Sequence, residues 1–269
     1  MIPRDTRSGR YGYYPGNAAG TSLDFKDFRD YQPGDDLRHI DWGAYGRSDK
    51  LTVKLFREEV DPHVDLLIDG SRSMALEETA KARAVLGLAA LLSSAASNAK
   101  CTCCSWIAAD GCRQIENSED RPSAWLGLNF DSRYSLSESF VICPPSLRRR
   151  GIRILLSDLL FPGDPFTALR HLAEGASAVF VIQVLADADI NPPPRGNITI
   201  VDSETGETTE LFLDEQIRKR YEKRLNTHQQ NWHTAAKKTG TLITSFTAEE
   251  VVVNWNVDPM EAAGLLRGL

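Results

Sequence analysis

The sequence has no apolar run long enough to cross a membrane, which takes about 20 residues. The nearest candidate, residues 84–92, continues an amphipathic helix that carries Lys81 and Arg83. No apolar signal core follows Met1. We therefore expect a cytoplasmic protein with no membrane-inserted segment.

Several motifs that mark common enzyme chemistries are also missing. The sequence has no glycine-rich phosphate-binding motif, no Gly-x-Ser-x-Gly and no His-Glu-x-x-His, which argues against nucleotide binding and against two common classes of hydrolase. Basic side chains are outnumbered, with 31 Lys and Arg against 37 Asp and Glu and a net charge of −6. A nucleic-acid partner is therefore disfavoured, because counterion release requires a basic surface.

Cysteine is scarce, and its five residues are an odd number. Together with the missing signal sequence, this argues against a disulfide framework. Cys101 and Cys103 would share one face of a predicted strand while Cys104 points to the other. A zinc site would place its paired ligands around a turn, so we expect reduced, mostly buried thiols.

What the sequence does contain is a regular alternation of apolar strands with amphipathic helices after about residue 61. This alternation predicts an α/β fold in which a doubly wound, mostly parallel sheet carries helices on both faces. Residues 1–60 are predicted as an N-terminal extension, residues 61–247 as the main domain and residues 248–269 as a C-terminal tail. Strands are predicted at 51–56, 64–68, 101–108, 112–115, 152–158, 178–185, 198–201 and 242–246, and helices at 76–98, 167–173 and 214–238, from Ser135 and from Asp258.

Oxygen-bearing side chains close two of the predicted strands. Asp69, Ser71 and Ser73 form an Asp-x-Ser-x-Ser turn between a strand and a helix, and Asp158 ends a later strand. Ligands of such sheets bind beyond the carboxyl ends of the strands, near a switch in strand order. Oxygen donors suit a hard cation such as Mg²⁺ or Mn²⁺. In the alternative interpretation, the two serines only cap the following helix.

The same residues resemble a known site. Asp69, Ser71, Ser73 and Asp158 are similar to the metal-ion-dependent adhesion site of von Willebrand factor A domains. Upstream, residues 29–42 read Arg-Asp-Tyr-Gln-Pro-Gly-Asp-Asp-Leu-Arg-His-Ile-Asp-Trp. This run resembles the signature Arg-x-Tyr-x-Pro-Gly-Asp-Asp-x-Arg-x-Ile-Asp-Trp of the bacterial domain of unknown function 58 family, in which it precedes a von Willebrand A-like segment.

The resemblance implies one Mg²⁺-type ion and a protein partner. Adhesion sites of this kind also use a threonine, but residues 110–150 contain none; Ser135 or Ser137 would offer the same hydroxyl, and Ser135 is our named candidate. Members of the family often accompany a MoxR-type AAA+ ATPase and are thought to act in assembling or activating other proteins. The implied partner is such an ATPase, with an acidic residue that completes the coordination of the ion.

Three functions follow from these features. The first is a non-enzymatic, cation-dependent protein–protein interaction module. The second is a metal-dependent phosphoesterase or nuclease that gathers two ions between Asp69, Asp158 and Asp187, a third acidic residue that follows a predicted strand. The third is a scaffold with a vestigial, empty site.

The acidic signature is a separate candidate site. Asp35, Asp36, His39 and Asp41 are close enough in sequence to suggest a ligand or a general base. Carboxylates in Pro-Gly turns usually serve the turn itself. We expect them to hold the extension together through hydrogen bonds and helix or turn caps.

Overall fold

The computed structural model describes residues 14–60, 62–76, 79–116, 125, 127–193, 195–202 and 206–266. The described part of the chain divides into two compact units, one within residues 14–62 and the other within residues 63–266. Residues 248–266, predicted as a separate tail, belong to the same unit as the main sheet. Residues 1–13 of the predicted extension lie outside the described part.

The smaller unit is built on an antiparallel pair of strands, β1 (Tyr14–Asp30) and β2 (Thr52–Val60). A short 3-10 helix (Leu37–His39) and helix α1 (Trp42–Ser48) connect them. The sequence predicted part of β2 but not β1. Three register shifts interrupt the pairing of β1, and such irregularities remove the strict alternation by which a strand is recognised.

The carboxylates of the acidic signature serve turns and caps inside this unit. The Arg29 guanidinium donates to both oxygens of Asp35, at 2.8 and 2.6 Å. Asp36 accepts from the backbone N–H of Arg38, and Asp41 accepts from that of Ala44 at the start of α1. These bonds agree with the structural interpretation of the motif.

The larger unit contains a six-stranded sheet in the order β10-β7-β6-β3-β4-β5. All neighbouring pairs are parallel except β4 and β5. Numbered within this unit the order is 3-2-1-4-5-6 read from β5, which is that of a doubly wound sheet. Its strands are β3 (His63–Asp69), β4 (Thr102–Ala109), β5 (Gly111–Gln114), β6 (Ile152–Ser157), β7 (Ala178–Leu185) and β10 (Leu242–Thr247).

Helices pack on the sheet and a hairpin lies outside it. The helices are α2 (Lys81–Asn98), α3 (Leu136–Ile142), α4 (Pro165–Ala173), α5 (Asp187–Ile190), α6 (Glu215–Thr239), α7 (Ala248–Asn254) and α8 (Asp258–Ala262). The predicted strand at 198–201 is β8 (Gly196–Val201), which pairs with β9 (Thr208–Leu213) and not with the main sheet. No helix within the described ranges has the length and apolarity needed to span a membrane.

Local chemistry fixes the ends of these helices. Ser135 and Glu138 form a capping box at the start of α3, and Asp164 caps α4 just before Pro165. Asp214 caps α6 in the same way, while Gly240 ends it in the left-handed conformation that glycine adopts without strain. Helix α2 begins at Lys81, later than the predicted residue 76, and a 3-10 helix (Arg72–Ala75) precedes it.

The core lies on the sheet faces. One cluster joins Leu67, Leu155 and Val181 of three strands to Leu169 of α4 and Trp232 of α6. Successive residues of a strand face opposite sides, so the buried side chains that alternate with these, such as Ile154, point to the other face. Helix α2 contacts β3, β4, β6 and β7 but contributes nothing to the first cluster.

The outer surface of α2 is covered in part by the indole of Trp255. A β-carbon on Gly87 would overlap the ring of Trp255. Glycine at this position therefore lets the indole lie directly on the helix backbone, although half of the Trp255 side chain remains exposed.

The substitution Ile154→Val is expected to lower the free energy of unfolding by about 1 kcal/mol, because it removes one methylene from a fully buried site. Urea denaturation of the full chain measures this loss. The matched control is Ile200→Val on the hairpin, where the side chain is 47% exposed and the same deletion should change stability by less than about 0.5 kcal/mol. Equal losses in the two variants would contradict the proposed core.

Candidate cation site

Two acidic side chains lie at the point where strand order reverses. Strand β3 pairs with β6, and Ile68 lies opposite Leu156. Asp69 therefore ends β3 next to Ser157, the last residue of β6, and Asp158 follows directly. Asp69 and Asp158 are both 1% exposed. The structure thus brings the two predicted carboxylates to the same edge of the sheet, at the switch point.

Within the described part of the chain, Asp69 accepts its hydrogen bonds from neutral donors. One carboxylate oxygen accepts from the backbone N–H of Ser71 at 3.0 Å, and the other accepts from the Ser157 hydroxyl at 2.6 Å. Burial, with a smaller effect from the charge of Asp158, raises the pKa of Asp69 to about 6. A carboxylate so destabilised by its surroundings favours a positive charge nearby.

The serine hydroxyls of the turn do not cap a helix. Ser71 precedes the 3-10 helix without a side-chain capping bond, and α2 begins after Ala80, also without one. The hydroxyls of Ser71 and Ser73 instead lie 3.0 Å apart and bond each other. The capping interpretation is therefore wrong for these two side chains, and the turn groups three oxygen-bearing residues.

Gly70 allows this turn to approach β4 closely. Its N–H donates to the Ala108 carbonyl at 2.8 Å. A β-carbon here would lie 2.8 Å from that same oxygen and 2.9 Å from Cγ1 of Ile107. A larger residue would push the turn away from the sheet and displace Ser71 from Asp69.

A buried lysine contacts the second carboxylate. Nζ of Lys81 lies 3.0 Å from one oxygen of Asp158 and 3.2 Å from Asp189. The other Asp158 oxygen accepts from the N–H of Leu160 at 3.0 Å. Burial lowers the pKa of Lys81, but the charges and hydrogen bonds of Asp158 and Asp189 together outweigh it and leave the pKa raised, so the ammonium remains charged.

Sequence reasoning missed Lys81, which it noted only as a charged residue carried by an amphipathic helix. A signal was present. Lys81 stands three, seven and eleven residues before Ala84, Leu88 and Leu92, which are all fully buried on one helix face. A lysine in line with an apolar stripe needs a buried acidic partner, and the strand ends offered one.

The structure gives Ser135 a different role from the predicted one. Its hydroxyl is engaged with the Glu138 carboxylate at 2.8 Å in the capping box. Ser132 is the residue that reaches the turn, because its N–H donates to the Gly70 carbonyl and its carbonyl accepts from the N–H of Arg72. Ser132 is 2% exposed. Ser137, the other serine considered, lies in α3.

Asp187 does not converge with the other acidic residues. It is exposed at the start of α5, and its carboxylate accepts from the side chain of Asn191 at 2.8 Å. The acidic residue after β7 that does approach Asp158 is Asp189, through Lys81. The three-carboxylate arrangement expected of a two-ion enzyme is therefore replaced by two carboxylates that share an ammonium.

The residues present fit a single hard cation in type and charge. No cluster of three His, Cys, Asp or Glu side chains that could hold a metal occurs in the described part of the chain. Donors would instead be the carboxylates of Asp69 and Asp158 with the hydroxyls of Ser71 and Ser73, whereas the Ser132 hydroxyl bonds Asp110 and the backbone of Tyr134. Asp158 and Asp189 share the ammonium of Lys81, and Asp69, on which the charge of Asp158 acts, adds a third carboxylate. Two negative charges remain, which is the charge that a divalent ion balances.

Comparisons with known proteins identify relatives in Mycobacterium. Uncharacterized protein Rv1480 of Mycobacterium tuberculosis is 27% identical over 220 residues, covering 76% of this chain and 66% of its own length. A second relative, uncharacterized protein MAV169 of Mycobacterium avium, is 34% identical over 82 residues, or 30% of this chain and 48% of its own. This chain thus spans just under two thirds of the length of Rv1480.

Solved structures with a similar arrangement are more distant in sequence. A conserved hypothetical protein, BatB, from Bacteroides thetaiotaomicron is 12% identical with a TM-score of 0.45, covering 76% of this chain and all of the other. An aerotolerance-related membrane protein from Bacteroides fragilis is 11% identical with a TM-score of 0.40, covering 76% and 96%.

The comparison with family models covers most of both units. The model described as "Protein of unknown function DUF58" matches residues 27–116 and 135–231. These ranges include the acidic signature, Asp69, Lys81 and Asp158. The chain belongs to the DUF58 family.

Proposed function

We propose that this protein is a non-enzymatic, divalent-cation-dependent protein-binding module with a von Willebrand A-like adhesion site. Asp69, Asp158, Ser71 and Ser73 would hold one Mg²⁺ or Mn²⁺, and Ser132, in place of the predicted Ser135, would support the turn through its backbone bonds to Gly70 and Arg72. A bound cation would supply an open coordination position for a carboxylate of the partner. The observation that carries the proposal is the buried Asp69, which, among the described residues, bonds neutral donors and lies near Asp158 at the strand switch point.

Charged side chains of both signs surround the turn, since Asp110 and Asp131 are exposed there as well, and the positive ones are the groups that an acidic partner would meet. Arg133 is exposed beside Ser132, and the guanidinium of Arg72 is held at the turn by the Asp131 carbonyl at 3.0 Å. Positive side chains at the rim of a site attract an acidic group and align it. By the resemblance of the signature, a MoxR-type AAA+ ATPase in the cytoplasm is the partner class to test first, in protein assembly or activation.

The structure gives less support to a two-ion phosphoesterase. Such enzymes hold two ions about 4 Å apart between shared carboxylates. Here the space between Asp158 and Asp189 is taken by the ammonium of Lys81, and Asp187 is directed to Asn191. A second ion would have to displace a buried lysine.

Calorimetric titration with MgCl₂ and MnCl₂ tests the proposal. We expect one weak site in the wild type and an affinity at least about tenfold lower in Asp69→Ala, because a buried anionic donor is lost. Asp187→Ala is the control, since it removes an exposed carboxylate outside the site and should leave the affinity unchanged.

Binding of a purified MoxR-type ATPase, with and without chelator, tests the second half of the proposal. Complex formation should require the cation and should be lost in Asp69→Ala. Equal binding in the presence of chelator would contradict a cation-dependent contact. Cation-dependent hydrolysis of p-nitrophenyl phosphate that disappears in Asp69→Ala would instead favour the phosphoesterase.

A further inference from the structure

A completely buried lysine stands beside one of the proposed cation-binding carboxylates. Lys81 is 0% exposed, and its ammonium lies between Asp158 and Asp189. An unpaired ammonium in such a place is very unfavourable. The two carboxylates therefore keep it there, and a fixed positive charge remains next to the oxygen atoms that a cation would use.

The surroundings hold both carboxylates in place. Asp158 accepts from the N–H of Leu160 at 3.0 Å, and its own carbonyl accepts from the side chain of Gln183 at 3.0 Å. Asp189 accepts from the N–H of Ala186 at 2.9 Å. Because neither acidic residue depends on Lys81 alone for its position, the ammonium acts on the site mainly through its charge.

We infer that Lys81 sets the cation affinity of the site, because its ammonium competes with the divalent ion for Asp158, while Asp189 shares the ammonium and so weakens that competition. The inference rests on the proposed function and adds to it an internal competitor. When no ion is bound, the Lys81 ammonium balances part of the buried negative charge, so the carboxylates remain compatible with a folded protein. When an ion binds, competition from the ammonium makes the binding weak and reversible.

The inference predicts changes of opposite sign in two variants. Lys81→Met keeps the length of the side chain but removes the charge, and the affinity for Mn²⁺ should rise by about tenfold or more. Asp189→Asn leaves an oxygen to accept from Ala186 but commits the ammonium to Asp158, and the affinity should fall by about tenfold. A lysine that only supported the fold would give weaker binding in both variants.

The experiment is a calorimetric titration of the full chain with MnCl₂ alone, paired with thermal unfolding in metal-free buffer and in MnCl₂. Lys81→Met should unfold at a lower temperature than the wild type without metal, and Mn²⁺ should restore more stability to the variant than to the wild type. Lys219→Met is the matched control. It removes the same charge from an exposed ion pair with Glu215 on α6 and should change neither quantity.

Each outcome decides between the two proposals. Wild-type binding with unchanged or weaker affinity in Lys81→Met overturns the inference about Lys81 and leaves the cation site standing. No detectable binding in the wild type but binding in Lys81→Met supports the inference and shows that the lysine replaces the ion. Absence of binding in both contradicts both proposals. A Lys81→Met variant that fails to fold both in metal-free buffer and in MnCl₂ also contradicts the inference, because the ion should replace the missing charge.

Discussion

The Asp69→Asn variant is expected to be more stable than the wild type in metal-free buffer at pH 8, by about 1–3 kcal/mol. The pKa of Asp69 is raised to about 6 in the folded protein, against about 3.9 in an unfolded chain. Ionisation of this residue therefore opposes folding at high pH. An asparagine keeps an oxygen for the N–H of Ser71 and can donate to the Ser157 hydroxyl, without a buried charge.

The stability difference between Asp69→Asn and the wild type should depend on pH. The penalty is fully present above the folded pKa of about 6 and disappears as the pH falls toward the unfolded value, where Asp69 is protonated in both states. The advantage of the asparagine variant should therefore shrink between pH 8 and pH 4.5. Urea denaturation of both proteins at these two values measures it.

Divalent cations should reverse the order of stability. Saturating Mg²⁺ is expected to stabilise the wild type, because it binds only the folded state, and to leave Asp69→Asn unchanged. An asparagine variant that is less stable than the wild type at both pH values, in the absence of metal, would show that Asp69 is not the strained carboxylate of this site.

The Asp65→Ala variant is expected to lose about 3–5 kcal/mol of stability. Asp65 lies on β3 and is 1% exposed. It accepts from His63 and from the indole N–H of Trp106, both at 3.2 Å, and from the N–H of Arg148 at 2.9 Å. Its negative charge also stabilises the charged guanidinium of Arg153, a side chain that is 4% exposed. Alanine would leave these donors unpaired in a buried region.

Urea denaturation followed by circular dichroism measures this loss. Glu116→Ala removes a carboxylate from an exposed position just after β5 and should change stability by less than about 0.5 kcal/mol. Asp65→Asn, which keeps one acceptor, should fall between the two. A loss below about 1 kcal/mol in Asp65→Ala would mean that the network around it contributes little to the fold.

The central sheet could be predicted from the sequence because its strands are short apolar runs set between helical patterns. Burial on both faces produces such runs. The position of Asp69 and Asp158 followed from the rule that ligand sites lie at the carboxyl ends of strands. The fold class and two members of the candidate site therefore needed only local patterns and one rule of topology.

The remaining members depend on contacts that local patterns do not encode. Ser132 belongs to an irregular segment without periodicity, and its role follows from pairing with the 69–73 turn. Lysine is usually exposed on a helix, and Lys81 is buried because Asp158 and Asp189 lie beside its ammonium in the fold. Strand β1 was missed because its pairing with β2 is irregular. Strand β8 was predicted, but its partner β9 was missed because its residues are mostly exposed.

The fluorescence of the Trp255 indole can report on the position of helix α2. The ring lies on Gly87, six residues along the helix from Lys81, which is about 9 Å at the usual rise per residue. Displacement of the helix when an ion draws on Asp158 would change how much water reaches this half-exposed ring. The chain has five tryptophans, so once the other four are replaced by phenylalanine, the fluorescence of Trp255 can follow events at a cation site that contains no chromophore.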